Sequence, residues 1–448
     1  MMQKNPREII LDTLLDIDRH NVYSNTALHT ALSSNQFMSK QDRSLISRMT
    51  EGVTEQRIRL DYIINQFSKT KVHKCKPLIR CVLRMGVYEI YYMDSIPQEA
   101  TCNECVKLVS KRGLNGLKGF VNGVLRNICR RKDDVHFPER SDGLEKYYSV
   151  KYSISEAVAD VLLHTYDEET VVSILESGYE KRGTSIRVNT NRISVEAYKK
   201  QLENIGIRVK NGAYNDTSLI IENYDYVRKI PGFFDGFFAV QDESSCLAVK
   251  AAGIKEGQTV LDVCAAPGGK TMYAAELTGE SGIVLSRDIS DEKTELIEEN
   301  AERMGYHNIK IMVYDALKPD EDLTEKMDVV LCDLPCSGLG IMGRKKDIKY
   351  NVTKEKIAEL AAMQRHILEN ASEYVKPGGV LVYSTCTITR QENEDNVKWF
   401  TDNHHFVLDS LVPYMPEVLH NKAEKGYMTL LQGVDSSDGF FIARFVRR

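Results

Sequence analysis

Residues 260–271 read Val-Leu-Asp-Val-Cys-Ala-Ala-Pro-Gly-Gly-Lys-Thr, an apolar stretch that breaks into a glycine turn and then opens a helical pattern. In an open parallel sheet, ligands bind beyond the carboxyl ends of strands, where glycines let backbone N–H groups approach a ligand. The closing Gly-Lys-Thr resembles a phosphate-binding loop, but that loop requires glycine where Cys264 stands. The stretch therefore favours a ligand site at a sheet edge and argues against a nucleoside triphosphatase.

The residues that follow alternate between strand and helix patterns, which is typical of a parallel sheet with crossover helices. The predicted strands are Thr259 to Val263, Gly282 to Leu285, Ile309 to Val313, Asp328 to Cys332, Val380 to Tyr383 and Phe440 to Phe445. The predicted helices are 270–277, 292–304, 354–375 and 393–402. Together they indicate a doubly wound α/β domain over residues 237–448.

Two acidic residues stand at the ends of the next two predicted strands. Asp288 comes 20 residues after Gly268, where related folds place an acid that binds ribose hydroxyls, and Asp315 ends the following strand. A lone acid is usually a loop or cap residue, but two at successive strand ends predict an adenosyl ligand. Because the chain lacks Gly-x-Gly-x-x-Gly at this turn, the pattern favours adenosylmethionine over NAD.

Two cysteines follow at equivalent places on the same predicted sheet. Cys336 lies in Asp-Leu-Pro-Cys-Ser-Gly after the fourth strand, and Cys386 lies in Ser-Thr-Cys-Thr after the fifth. A buried cysteine is more often inert core than nucleophile. Neither of these lies inside an apolar run, and each sits in a turn-forming stretch at the edge where chemistry occurs. Both thiols are therefore expected to face the glycine turn.

The remainder of the chain predicts two further domains. Residues 6 to about 132 show helical spacing with almost no strand signal, and the polar stretch 133–143 reads as a linker. A helical pattern and then short strands fill the residues up to Gly236, which predicts a small helical and α/β domain. The predicted domains are 1–135, 144–236 and 237–448.

The charged residues are unevenly distributed along the chain. The net charge is -5, yet residues 1–140 hold 23 Lys and Arg against 15 Asp and Glu, a net of +8. Residues 62–88 contain six basic residues and no acid, and residues 107–132 contain eight and no acid. Such runs are usually solvated faces, but two of them in one segment favour a polyanionic partner. The candidate contacts are Lys107, Lys111, Arg112, Arg126 and Arg130.

Composition places the chain among ordinary globular proteins. The sequence is 42% hydrophobic and 27% charged, and no apolar run approaches the ~18 residues of a membrane span. Ten cysteines in 448 residues are too few for a disulfide scaffold, which favours free thiols in a reducing cytoplasm. Cys102 and Cys105 have no second pair or nearby histidine, so a helix face is favoured over a metal site.

In combination these motifs resemble those of the RNA 5-methylcytosine methyltransferases, most closely the RsmB branch, also called Sun or Fmu. The resemblance covers essentially the full chain and includes residues 240–245 (Val-Gln-Asp-Glu-Ser-Ser) and 438–441 (Asp-Gly-Phe-Phe). It implies an all-α NusB-like amino-terminal domain, a small α/β middle domain and a Rossmann-like methyltransferase domain that uses S-adenosylmethionine.

The resemblance also implies a role for each motif residue. Cys386 would be the nucleophile, Cys336 would help to release the product, and Asp333 would lie near the sulfonium and activate the target base. Asp288 would hold the ribose of the cofactor and Asp315 its adenine side. Contacts to the methionine part would come from Cys264, Ala265, Ala266, Pro267, Gly268, Gly269 and Lys270.

Arg187 and Asn189 match an Arg-x-Asn element that contacts RNA in the family. The chain departs from the family pattern at Leu334, where alanine is common. It departs again at residues 346–350, Lys-Asp-Ile-Lys-Tyr, where Pro-Asp-Ile-Lys-Trp is usual.

The implied activity is methylation of C5 of one cytosine in 16S ribosomal RNA, either free or in an early assembly intermediate, through a covalent cysteine–C6 bond. The enzyme would be a cytoplasmic monomer that uses no metal and no membrane. Three alternatives stay open: a non-enzymatic RNA-binding or antitermination protein, a methyltransferase acting on cytosine in another RNA, and a DNA cytosine methyltransferase. The DNA enzymes use the cysteine of the Pro-Cys motif, so the presence of both Cys336 and Cys386 favours the RNA class.

Overall fold

The computed structural model describes residues 5–20 and 22–448, and the chain forms two compact units. The first unit comprises Met1–Asp167 together with Met342–Thr353, and the second comprises Glu168–Ile341 and Lys354–Arg448. The predicted helical, small α/β and large α/β regions are all present. Residues 144–167, however, group with the helical region rather than with the middle one, so the predicted boundary at 144 does not coincide with the division into units.

The α-helices are α1 (Pro6–His20), α2 (Ser24–Ser33), α3 (Lys40–Glu55), α4 (Arg57–Phe67), α5 (Pro77–Tyr92), α6 (Gln98–Lys111), α7 (Lys118–Arg130), α8 (Leu144–Tyr152), α9 (Glu156–Thr165), α10 (Glu168–Ser177), α11 (Val195–Asn204), α12 (Glu243–Ala251), α13 (Gly269–Thr278), α14 (Asp291–Met304), α15 (Ile348–Asn351), α16 (Lys354–Tyr374), α17 (Glu394–Asn403) and α18 (His420–Ala423). The strands are β1 (Thr184–Val188), β2 (Arg208–Asn211), β3 (Ser218–Glu222), β4 (Phe238–Val240), β5 (Thr259–Asp262), β6 (Ile283–Asp288), β7 (Ile309–Val313), β8 (Met327–Asp333), β9 (Val375–Thr385), β10 (Phe406–Leu408), β11 (Tyr427–Leu430) and β12 (Phe440–Arg447).

Local sequence sets many of the helix boundaries. Helices α3, α9 and α11 follow Ser39, Ser155 and Ser194, whose side chains each accept an N–H of the first turn. Helix α5 begins at Pro77, which suits a first turn because its missing N–H would have no partner there. Helices α1 to α7 of the first unit bury their apolar faces in one core.

Helix α6 confirms that the Cys102 and Cys105 pair lies on a helix face. Both side chains are buried in the core of the first unit. The Sγ atom of Cys102 lies 3.8 Å from the Sγ atom of Cys129 on α7. The described residues contain no group of three or more His, Cys, Asp or Glu side chains placed to hold a metal ion.

Two arginines of the basic run at residues 62–88 form ion pairs inside the first unit. Arg84 is buried and pairs with Asp18 at 3.1 Å and with Asp61 at 2.7 Å. Arg80 also pairs with Asp18. These arginines neutralise acids that lie far away in sequence, so they do not belong to an open basic surface.

The segment Met342–Thr353 is held within the helical unit. Asp347 accepts a hydrogen bond of 2.9 Å from the hydroxyl of Ser24, and the Tyr350 hydroxyl donates one of 2.5 Å to the carbonyl of Glu55. Lys349 is 5% exposed, and its ammonium donates to the carbonyl of Tyr152 at 3.3 Å. The stretch that departs from the family pattern thus lies buried among α2, α3 and α8.

In the second unit, a four-stranded antiparallel sheet has the order β2-β3-β1-β4. Residues of α11 and of the sheet share one apolar core, which includes Ile186, Leu202, Leu219 and Phe238. This sheet is the predicted α/β middle region. Its strand β4 was not predicted, because three residues are too short to show a pattern.

The large sheet of the second unit has the order β10-β12-β9-β8-β5-β6-β7, with β11 paired to β12. Strands β9, β8, β5, β6 and β7 run parallel, while β12 runs antiparallel to β9. Successive residues Val329 and Val330 of β8 enter different apolar cores, so the sheet is covered on both faces. The doubly wound fold is confirmed. The short strands β10 and β11 were not predicted, and they extend the sheet beyond its antiparallel closing strand.

Lys349 makes the stability of the helical unit depend on pH. Burial lowers the pKa of Lys349 to about 7, so between pH 7 and about 10 the unfolded chain holds a proton that the folded chain has released. Stability should therefore rise with pH across this window. Lys349→Met should remove that part of the rise and raise the free energy of unfolding at pH 7, measured by urea denaturation at pH 7 and 9.

The exposed Lys146 on α8 provides the matched control. Lys146→Met should leave the pH dependence as in the wild type. Parallel stability curves for wild type and Lys349→Met would show that Lys349 is protonated in the folded protein.

Candidate active site

The glycine turn lies directly after β5, at the carboxyl edge of the parallel strands. Gly268 has φ = +99°, a conformation that suits glycine, and α13 begins at the next residue. The hydroxyl of Thr271 in the first turn of α13 donates to Asp262 at 2.8 Å. This bond ties the helix to the end of β5 and holds the turn open toward the ends of the neighbouring strands.

Asp288 stands at the end of β6 beside this turn. One carboxylate oxygen accepts the N–H of Ala266 at 2.9 Å, and the other accepts the N–H of Ile289 at 2.8 Å and the ammonium of Lys293 at 2.9 Å. Ile289 is 59% exposed, an apolar surface next to an acid. Asp315 follows β7 and accepts the N–H of Leu317 at 3.1 Å. The two predicted acids therefore lie at adjacent strand ends.

Asp262 adds an acid that the sequence analysis did not single out. The side chain is 0% exposed, and its Oδ1 atom has no hydrogen-bond partner among the described residues. Burial raises the pKa of Asp262 to about 7, and the nearby charges of Asp333 and Asp288 add to the effect. Three mutually repelling carboxylates favour a ligand that carries positive charge. Adenosylmethionine, which has an ammonium and a sulfonium group, fits this set of acceptors.

Lys270 and Asp333 form an ion pair between the glycine turn and the end of β8. The ammonium lies 2.6 Å from one carboxylate oxygen of Asp333, and the hydroxyl of Ser384 donates to the other at 2.8 Å. Burial alone would lower the pKa of Lys270, but the charge of Asp333 outweighs it and raises the pKa. Lys270 thus stays protonated and contacts Asp333, which the sequence analysis placed near the target base.

The two predicted cysteines meet at the same edge. The Sγ atoms of Cys336 and Cys386 lie 3.2 Å apart. The hydrogen bond with Cys386, together with burial, raises the pKa of Cys336. The N–H of Gly340 donates to the carbonyl of Cys386 at 3.0 Å and links the two cysteine loops. Cys336 is therefore a thiol at neutral pH.

The structure does not place Arg187 and Asn189 where RNA could reach them. Arg187 is 0% exposed, forms an ion pair with Glu276 and donates to Gln241 at 2.9 Å. Asn189 is also buried and donates to the carbonyl of Gly236 at 3.0 Å. Both side chains hold the small sheet against its neighbours within the second unit, and their contact with RNA stays a prediction.

Three of the five predicted basic contacts are neutralised inside the helical unit. Lys111 pairs with Glu8 at 2.7 Å, Arg112 pairs with Asp12, and Lys107 pairs with Glu104 at 2.7 Å. Two of these acids belong to α1, about a hundred residues away in sequence, which is why the run appeared free of acid. Arg126 and Arg130 on α7 are exposed and form no ion pair with any residue that the structure describes.

Sequence reasoning missed three polar residues of this edge: Asp262, Ser384 and Glu392. Glu392 is 0% exposed and accepts the N–H of Ser337 at 2.8 Å. A signal for Ser384 and Glu392 was present, since Ser384 is the first residue of the Ser-Thr-Cys stretch and Glu392 lies six residues after Cys386. Their hydrogen-bond partners lie on other strands and loops, and a single stretch of sequence does not reveal those.

Three families match separate parts of the chain. The family described as 16S rRNA methyltransferase RsmB/F matches residues 250–446. The NusB family matches residues 4–130, and a ferredoxin-like domain described as RsmF/B-like matches residues 158–227. The first match includes the glycine turn, both predicted acids and both cysteines.

Relatives and solved structures extend the likeness over the whole chain. The chain is 34% identical to the probable ribosomal RNA small subunit methyltransferase B of Bacillus subtilis (strain 168), covering 99% of this chain and 98% of that protein. It is 30% identical to ribosomal RNA small subunit methyltransferase B of Vibrio cholerae, covering 92% and 91%. The crystal structure of PH0851 matches with a TM-score of 0.85 at 26% identity, covering 100% of both chains. A methyltransferase homolog protein from Pyrococcus horikoshii matches with a TM-score of 0.57 at 28% identity, covering 67% of this chain and 97% of that one.

These comparisons confirm S-adenosylmethionine as the cofactor. No helix among the described residues is both long and apolar enough to cross a membrane.

Asp288 should dominate the affinity for adenosylmethionine. Hydrogen bonds to a charged acceptor are each worth about 1.5 to 3 kcal/mol, so Asp288→Ala should weaken binding roughly ten- to a hundredfold, as measured by calorimetry.

Asp328 is the matched control, because it also accepts an N–H (Thr259, 2.8 Å) and a lysine (Lys376, 2.7 Å) but lies at the opposite end of β8. Asp328→Ala should leave cofactor affinity unchanged. Equal affinities of Asp288→Ala and the wild type would remove Asp288 from the site.

Proposed function

The chain belongs to the RsmB/F family of 16S rRNA methyltransferases, and from that premise we propose that it methylates C5 of a cytosine in small-subunit ribosomal RNA. One observation supports this activity above the others: the two thiols of Cys336 and Cys386 lie 3.2 Å apart, beside the Lys270–Asp333 ion pair. The substrate is 16S ribosomal RNA, free or in an early assembly intermediate.

A pair of thiols suits methylation of carbon better than methylation of nitrogen or oxygen. C5 of cytosine is too weak a nucleophile to take a methyl group unaided. A thiolate that adds to C6 turns the ring into an enamine, which is nucleophilic at C5. Bound adenosylmethionine supplies the methyl group as an activated sulfonium methyl. The protein must then provide an attacking thiolate, a proton for the ring and a base for the final elimination.

Cys386 is proposed as the attacking thiol. The pKa of Cys336 is raised by its hydrogen bond with Cys386 and by burial, so Cys336 holds its proton and can stabilise a thiolate on Cys386. The charges of Lys270 and Cys386 interact, and a lysine ammonium near a cysteine favours its thiolate. Both effects support Cys386, in the Ser-Thr-Cys loop, as the proposed nucleophile.

Asp333 and Lys270 are proposed to activate the base together. Protonation of N3 during attack would make C6 more electrophilic, and Asp333 was the predicted donor. Both oxygens of Asp333 accept hydrogen bonds, from Lys270 and from Ser384. Lys270 and Ser384 therefore hold Asp333 in place, where its carboxyl group could share a proton with N3.

Cys336 is proposed to complete the reaction. After methyl transfer, a base must take the C5 proton so that the bond between Cys386 and C6 can break. Cys336 lies beside the departing sulfur and keeps its own proton, so a water that it orients would take the C5 proton as Cys386 leaves as a thiolate. The target base must be unstacked to reach this edge, which costs a few kcal/mol and costs least in a loop or single strand.

The helical unit is proposed to hold RNA through cations that have no carboxylate partner among the described residues. On α7 these are Arg126 and Arg130. The exposed lysines between α4 and α5, Lys69, Lys74 and Lys76, carry further positive charge. A purely RNA-binding or antitermination role would use this surface alone and would not need the thiol pair.

The two thiols can be separated by substitution, because they act at opposite ends of one covalent cycle. Cys386→Ala should lose methylation by several orders of magnitude and form no adduct with RNA, since no enamine can arise. Cys336→Ala should still attack but stall before elimination, leaving a protein–RNA adduct. Denaturing gel electrophoresis with radiolabelled RNA measures both outcomes.

The double variant Cys336→Ala/Cys386→Ala should form no adduct, and Cys129→Ala, a half-buried thiol of the helical unit, should behave as the wild type. An adduct that appears with Cys386→Ala and vanishes with Cys336→Ala would reverse the roles and indicate the mechanism of the DNA enzymes.

The proposed RNA surface predicts which cations set the salt dependence. Each phosphate neutralised contributes about -0.7 to -0.9 to the log–log slope of affinity against salt. Arg126→Gln/Arg130→Gln should weaken RNA binding and reduce the slope by roughly one to two. The ion-paired set Lys107→Gln/Lys111→Gln/Arg112→Gln should change the slope less, although it removes one more positive charge. The reverse order in filter-binding titrations would contradict this assignment.

A further inference from the structure

Glu392 is a buried carboxylate beside both cysteine loops. The side chain is 0% exposed and forms no ion pair with any described residue. Its Oε1 atom accepts the N–H of Ser337 at 2.8 Å and the amide of Gln364 at 3.1 Å. Its Oε2 atom accepts the hydroxyls of Ser337 at 2.5 Å and Thr389 at 2.7 Å. Four donors from three separate segments thus converge on one carboxylate.

These donors tie the carboxylate to the residues next to the thiols. Ser337 follows Cys336 directly, and its hydroxyl contacts the hydroxyl of Thr387 at 2.6 Å. Thr387 in turn follows Cys386 directly. The residues that follow the two cysteines are therefore hydrogen-bonded to each other, and Glu392 accepts the hydroxyl of Ser337 in this pair.

The neighbours of Glu392 hold the other side of each loop. Asn393 accepts the hydroxyl of Thr385 at 2.7 Å and donates to the carbonyl of Thr387 at 3.0 Å, so it fixes the residues on both sides of Cys386. Gln364, a donor to Glu392, also donates to the carbonyl of Pro335 at 2.9 Å. The backbone of each cysteine is thereby restrained before and after the thiol.

A buried carboxylate without a cation is a costly element of structure. Removing such a group from water costs several kcal/mol, which hydrogen bonds must offset. Here all the hydrogen bonds lead to the two cysteine loops or to α16, which supports Pro335. A carboxylate that only stabilised the fold would not need to have all its hydrogen bonds at the two cysteine loops and at the helix that supports one of them.

We propose that Glu392 is a positioning residue of the methyl-transfer reaction: its carboxylate locks the loops that carry Cys336 and Cys386 and so holds the two thiols in contact. The lock acts through Ser337 and Thr387. The inference rests on the proposed roles of Cys336 and Cys386 and deepens them. The sulfurs must reach adjacent ring carbons in turn, and small displacements of reacting groups cost large factors in rate. The charge of Glu392 adds to the hydrogen bond and burial that raise the pKa of Cys336 and keep it protonated during attack.

The thiol geometry can be measured without any RNA. Diamide oxidises two adjacent thiols to a disulfide and is itself reduced to the hydrazine. In Glu392→Ala, closure of the Cys336–Cys386 disulfide should slow at least tenfold, as followed by peptide mass mapping. The Cys102 and Cys129 thiols, 3.8 Å apart in the helical unit, provide an internal reference whose rate should not change.

Glu243 supplies the matched control for loss of a buried carboxylate. It is 3% exposed and accepts the N–H groups of Ala213, Tyr214 and Asn215, which lie between β2 and β3 of the small sheet. Glu243→Ala should leave the rate of Cys336–Cys386 closure within twofold of the wild type.

The kinetic readout separates positioning from binding. Glu392→Ala should lower kcat about a hundredfold, while KM for RNA and affinity for adenosylmethionine stay within threefold. Glu392→Gln should recover most of this loss. Its oxygen can keep the two N–H donors, and its amide can face the hydroxyls of Ser337 and Thr389, which can turn and accept.

Each outcome bears on the inference separately from the proposed function. Unchanged disulfide closure in a folded Glu392→Ala would overturn it, as would a fall in kcat without a change in closure. Slower closure in an enzyme whose Cys336→Ala variant forms no RNA adduct would support the positioning role and contradict the cysteine mechanism. If Glu392→Ala does not fold, Ser337→Ala removes the hydroxyl that links Glu392 to Thr387. Closure of the Cys336–Cys386 disulfide in this variant should slow at least threefold. Wild-type closure in Ser337→Ala would equally overturn the inference.

Discussion

The ion pair between Lys270 and Asp333 connects the two halves of the site. Lys270 opens α13 directly after the glycine turn, and Asp333 ends β8 just before the first cysteine motif. Without the lysine, Asp333 would face Asp262 and Asp288 across a buried edge, where burial, together with these neighbouring charges, already raises the pKa of Asp262. The pair places the protonated Lys270 next to a cluster of acids. The glycine turn and the loop that carries Cys336 therefore meet at a single charged contact.

The topology of the large sheet makes this contact possible. Five parallel strands end at one edge, so Asp262, Asp288, Asp333 and Cys386 come together from positions up to 124 residues apart. The antiparallel strand β12 closes the sheet next to β9, and Gly439 before it donates to the carbonyl of Gly340 in the Cys336 loop at 2.8 Å. The Asp-Gly-Phe-Phe motif at residues 438–441 thus supports the loop that carries Cys336.

Much of this arrangement is predictable from sequence, because strand ends follow from patterns that are local. The strand before Cys264, the acid after β6 and the two thiols were all expected at one edge, and the structure places them there. Charge was harder to interpret. The run at 107–132 contains no acid, yet Lys111 pairs with Glu8 and Arg112 with Asp12, both on α1. Helix packing brings these residues together, and their separation along the chain hides the pairing from a reading of the sequence. The ion pair of Arg187 with Glu276 on α13 was hidden from the sequence for the same reason.

The most direct test of the account is the identity of the methylated nucleoside. Small-subunit ribosomal RNA transcript would be incubated with the protein and adenosylmethionine carrying a deuterated methyl group, digested to nucleosides and analysed by mass spectrometry. The account predicts that the label appears in 5-methylcytidine and nowhere else. Label in N4-methylcytidine or in a methylated ribose would contradict it, because neither product requires a thiol to attack C6, and label in another base would contradict the choice of cytosine.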